Sequence, residues 1–205
     1  MRRTARWISI VLHPLFMPTY TLLLAFRLDF HLSFFLPPTV VGITLAMVFI
    51  MTALFPLASA MMLVRGGMVQ DLRMERRHER ILPFLMTLFY YTLTYWLLRR
   101  VEQHAVAYAM LFGAVLVLAA TTLVSLRWKI SVHMAGMGGL IGALAAVLLL
   151  HGTFHVGVLA LLVVLAGILG SARLVDGEHT PAQIYGGAVL GAVVMFLCVV
   201  ATWAP

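Results

Sequence analysis

The chain has 205 residues, of which 63% are hydrophobic and 10% charged, with a mean hydropathy of +1.04. Soluble domains carry about 25% charged residues, so this composition excludes an ordinary soluble domain and a disordered chain. It points to a single membrane domain over residues 1–205. The 14 Lys and Arg against 7 Asp and Glu give a net charge of +7, which in short membrane loops speaks for topology and anionic substrates rather than for nucleic acid.

Taken in chain order, apolar runs predict helices over residues 7–26, 38–64, 83–98, 104–126, 133–150, 156–172 and 181–203. Most approach the roughly 20 residues that cross a bilayer core. The expected fold is an all-α polytopic bundle of six to seven helices. The basic start at Arg2, Arg3 and Arg6 followed by an apolar run has the form of a secretory signal. Pro14 and Pro18 interrupt that run, however, and no small-residue cleavage site follows, so an anchor helix is expected. The run 83–98 is short, with Arg99 and Arg100 placed to snorkel at its end. Trp7, Trp96, Trp128 and Trp203 fall near predicted helix ends, as an aromatic belt requires. Cys198 stands alone in an apolar run, which excludes an intrachain disulfide.

The loops are unequal. The N-terminal tail and residues 65–82, 127–132 and 173–180 share one face and hold eleven of the 14 cations. The positive-inside rule makes that face cytoplasmic, and a bacterial inner membrane is the expected location. The polar, potentially reactive groups gather there too, in three clusters. In the first, Arg73, Arg77 and Arg80 share one helical side, a spacing suited to clamping phosphate oxygens, or to meeting anionic lipid heads at the interface. In the second, Lys129, Ser131 and His133 open a glycine-rich helix, with Ser131 expected as its side-chain cap. In the third, Arg173 and His179 precede a helix start where Thr180, Pro181 and Gln183 spell a capping box. An Arg and a His beside a helix N-terminus make a ready anion site.

Packing joins the last two clusters. Gly138-x-x-x-Gly142 and Gly187-x-x-x-Gly191 are small-residue faces on helices that leave the same membrane face. If they pack together, His133 and His179 converge. Two histidines among cations suit phosphoryl transfer, one attacking phosphorus and the other protonating the leaving oxygen. Of the remaining histidines, His13 reads as an interfacial residue at a proline kink, with a place lining the substrate entrance as the alternative. His104, His151 and His155, on the opposite face, read as solvated.

In this order and on one face, the clusters resemble the three motifs of the type 2 phosphatidic acid phosphatase family of membrane lipid phosphatases, Lys-x6-Arg-Pro, Pro-Ser-Gly-His and Ser-Arg-x5-His-x3-Asp. Arg173-x5-His179 has the third motif's spacing. Ser131-Val-His133 keeps the Ser and His of the second, with Ile130 and Val132 for its Pro and Gly. Arg73-x6-Arg80 keeps the first motif's spacing, with Arg for Lys and the Pro at Pro83. The motif-bearing core is residues 73–191. The resemblance implies that His179 is the nucleophile and His133 the general acid. It implies that Arg73, Arg80, Ser131 and Arg173 hold phosphate, and that neither metal nor cofactor is needed. The family's Asp is Gln183 here, a neutral group able to accept the His179 N–H; Asp176 and Glu178 are nearby candidates for the missing charge. The implied activity is hydrolysis of a lipid phosphate or diphosphate. Transfer of the phosphoryl group to another alcohol and phospholipid binding without hydrolysis stand as alternatives. A transporter would carry its polar residues near the midplane rather than at one face.

Overall fold

The computed structural model describes residues 2–34, 36–71, 77–152, 155–177 and 179–203. Among them the chain is all α-helical, and seven segments are long and apolar enough to cross a membrane. The first is broken in two. Helix α1 (Arg2–Val11) gives way to a 3-10 turn (Pro14–Phe16) and then to α2 (Met17–Leu28). The break has a local cause. Pro14 lacks an N–H and disfavours helical geometry in the residue before it, and His13 is extended, at φ −70° and ψ 139°. A short α3 (Phe30–Ser33) follows.

The second segment, Pro38–Arg65, consists of α4 (Pro38–Phe49), a π-helical turn (Ile50–Leu54) and α5 (Phe55–Arg65). Pro56 lies just past the π turn and cannot donate back along the helix, and the Phe55 N–H reaches the Ile50 carbonyl instead. Next come α6 (Arg77–Leu98), α7 (Ala105–Ser125), α8 (Val132–Leu150), α9 (Val156–Val175) and α10 (Pro181–Val200). The expected start of α6 at residue 83 is corrected: the helix is already formed at Arg77, the first residue described after 71, so Arg80 stands on it and Pro83 lies inside it. At its far end the guanidinium of Arg100 covers the Trp96 ring at 4.7 Å.

The core is α8. Of its span 67% is buried, and of α7 61%, against 22% to 33% for the other five segments. Met137, Leu140, Ala143, Leu144 and Val147 of α8 are almost wholly enclosed. The α8–α10 crossing is closest where the small-residue faces meet. A Cβ at Gly138 would overlap the Ala188 carbonyl, and one at Gly191 would overlap the Ala135 carbonyl. This is the convergence expected from the two glycine motifs, and it draws the first turns of α8 and α10 together.

Candidate active site

At those first turns the chain before α8 and the chain before α10 are tied together. The Ser131 N–H donates to the Gln183 carbonyl at 3.2 Å. His179 Nδ1 lies 3.2 Å from the Lys129 carbonyl and 3.3 Å from Gln183 Oε1. Both neighbours are acceptors, so Nδ1 carries the proton and Nε2 keeps the lone pair. Gln183 Oε1 also accepts the Thr180 N–H at 3.1 Å, which closes the start of α10. One side-chain oxygen thus fixes both the helix end and the imidazole tautomer. Burial, then the Arg173 charge, holds His179 down to about 4, against the ordinary 6.5. The ring is therefore neutral at neutral pH.

His133, in the first turn of α8, points its Nε2 at the Ser9 carbonyl 3.2 Å away. Arg173 Nη1 lies 3.5 Å from the Ser9 hydroxyl and 3.8 Å from Asp176 Oδ2. Helix α1 thereby contributes to a site whose expected residues begin only at 73. Its continuation brings in His13, whose ring meets His133 edge-on at 5.1 Å between centroids. The His13 Nδ1 accepts the Leu15 N–H at 3.3 Å.

These groups border one cavity of about 480 Å³. Arg80, His133, Arg173, His179 and His13 form its polar end; Phe16, Phe49, Leu54, Leu57, Phe84 and Tyr91 line the rest. Between Arg80 and Tyr91 the wall follows α6 for roughly 16 Å at 1.5 Å per residue, about half the thickness of a hydrocarbon core. Phe49, Leu54 and Leu57 each keep more than a third of their surface accessible, so the apolar part of the wall is open rather than sealed. Its volume lies within the usual range for small-molecule sites, about 300–1,000 Å³.

Several expectations change here. Ser131 holds the N-cap position of α8, but its hydroxyl makes no cap bond; it is fully buried, lies outside the cavity wall and is unsatisfied among the described residues. Gln183 keeps its expected place as acceptor beside the His179 ring, behind it and outside the wall. Asp176 faces Arg173. Arg73 and Glu178 lie outside the described residues. His13, whose alternative reading placed it at the substrate entrance, is in the wall; its position directly before Pro14 was the signal that it would turn out of the helix. His151 is not solvated. Its side chain is 7% exposed and pairs with the buried Asp29.

No protein-family model, curated protein or solved structure matches this chain. What the fold and the sequence define together is a class: a polytopic α-helical membrane protein.

Proposed function

We propose that this protein is a membrane lipid phosphatase, acting on a lipid phosphate or diphosphate through a phosphohistidine. The observation that carries the reading is the cavity itself, which joins two Arg and three His to a long, open apolar wall. A phosphate head fits the polar end and a hydrocarbon chain the apolar wall, entering sideways between helices. The resemblance of the three sequence clusters to the type 2 phosphatidic acid phosphatases supports the same reading.

The steps follow from the tautomers. Nε2 of His179 attacks phosphorus while Nδ1–H stays bonded to Lys129 O and Gln183 Oε1. Arg80 and Arg173 stabilise the charge on the equatorial oxygens. The bond from phosphorus to the leaving oxygen breaks, and that oxygen takes a proton from Nδ1 of His133, which enters the step as the imidazolium with a proton taken up from the bound phosphate monoanion, its Nε2–H being committed to the Ser9 carbonyl. Water then attacks the phosphohistidine. It gives its proton to His133 Nδ1, the N–P bond breaks, and phosphate leaves with His179 restored. Gln183 orients the nucleophile as a neutral group. On this reading the cation-rich face, which carries the site, is the cytoplasmic one.

The test is to trap the intermediate. Purified protein is mixed with a lipid phosphate labelled on phosphorus and quenched in alkali. The label should be found on His179, as an adduct stable to base and released by acid. A label on a hydroxyl or carboxylate side chain, or none during turnover, would defeat the mechanism.

A further inference from the structure

The opposite face holds a second cluster that the proposed chemistry leaves unused. Asp29, which follows α2, is completely buried. Its Oδ1 accepts the His31 N–H at 2.9 Å and lies 3.1 Å from His31 Nδ1. Its Oδ2 meets Nδ1 of His151, the residue that ends α8. One ligand atom from each of the three residues lies within 4.8 Å of the others. His104 packs edge-on against His151 at 6.0 Å between centroids, and its Nδ1 accepts the Val106 N–H at 3.3 Å, which leaves Nε2 as its open nitrogen. His155 braces the same corner through the Leu28 carbonyl at 3.1 Å.

We infer that Asp29, His31 and His151 form a divalent transition-metal site of the zinc type. The buried carboxylate is met here by two imidazoles, the same donors that would hold a cation beside it. Two imidazoles and one carboxylate are a donor set that zinc accepts, with bonds of about 2.0–2.1 Å and water or a further imidazole in the fourth position. His133 and His151 stand at the two ends of α8, roughly 27 Å apart at 1.5 Å per residue, so the ion takes no part in the phosphate chemistry. It ties the end of α2 to the end of α8, the two helices whose opposite ends flank His13 and His133. The role is therefore structural: it fixes α2 against the central helix.

The test uses full-length protein carrying no histidine tag, stripped with a chelator and titrated with Zn²⁺ by calorimetry. Metal content and thermal unfolding are measured alongside. The wild type should bind one Zn²⁺ per chain and melt at a higher temperature with it. Loss of a direct ligand should weaken binding at least as much as loss of a supporting residue does, so by about 100-fold or more in His31→Ala and His151→Ala. His31 is 63% exposed, so its replacement opens no cavity in the core. His179→Ala serves as control and should keep the site. A wild type that binds no Zn²⁺ would overturn the inference. So would tight binding that survives both His31→Ala and His151→Ala, or that is lost in His179→Ala.

Discussion

Replacing Gly187 by alanine probes the contact on which the proposed site depends. A Cβ there would lie 2.5 Å from the Ser131 carbonyl oxygen, 3.3 Å from the Ala135 nitrogen and 3.4 Å from the Met134 Cβ. Real Cβ atoms stop near 3.0 Å and rest at 3.4 Å or more. The start of α10 must therefore retreat from α8 by about 0.5–0.9 Å. Two bonds cross that gap, Ser131 N–H to Gln183 O and His179 Nδ1–H to Lys129 O, both at 3.2 Å. The retreat stretches them to about 3.7–4.1 Å, beyond hydrogen-bond range. Overpacking costs about 1–3 kcal/mol and each lost bond about 1 kcal/mol, against a helix-propensity gain of about 1 kcal/mol. The net expectation is a loss of about 2–4 kcal/mol. A displacement approaching 1 Å at a reacting group lowers turnover by about 100-fold. The control is Gly157→Ala on α9, where a Cβ meets nothing within 4 Å and neither quantity should fall. Thermal unfolding in detergent and phosphate release from a lipid phosphate read the two effects separately. A Gly187→Ala protein that melts and turns over like the wild type would refute the close α8–α10 contact as the element that builds the site.

Arg80→Ala and Arg173→Ala should each lower the rate by about 100- to 1,000-fold, the usual cost of one preorganised donor at a developing charge; steady-state kinetics reading wild-type values would remove them from the phosphate site. His179 sits at about 4 in the folded protein against 6.5 when unperturbed, so its contribution to stability is complete above pH 6.5 and is lost as the pH falls from there toward 4. Burial is the larger cause and Arg173 the second, so Arg173→Ala should move the His179 titration, followed by NMR of labelled histidine, part of the way back up. Gln183→Leu should cost about 1 kcal/mol through the lost cap and should lower turnover as well, while Gln183→Asp should hold or raise it; a melting-only effect of Gln183→Leu would reduce Gln183 to a cap. A Cys introduced at Thr4 should resist an impermeant thiol reagent in intact cells, and its labelling would place the cationic face outside.

The seven spans were legible because hydropathy records them directly, and the α8–α10 crossing because a membrane helix can approach another this closely only where both faces are small. The break at Pro14 was legible from the missing N–H. The early start of α6 was not: Pro83 looks like a first-turn residue, yet a helix tolerates the loss of one bond in its second turn when the apolar face beyond it is packed. Ser131 fits every sequence rule for a cap, but its backbone N–H is drawn to the Gln183 carbonyl and its hydroxyl is left buried. Ser9 joined the site only through the tertiary path of α1, and Asp29 meets His151 across 122 positions of chain. No local pattern encodes either contact.

The most direct measurement is phosphate release by the purified protein from a panel of lipid phosphates and diphosphates, run beside His179→Ala. The proposal predicts release from at least one lipid in the panel and none from the variant. Undiminished release by His179→Ala, or no release from any lipid by a protein that is folded and monodisperse, would contradict it.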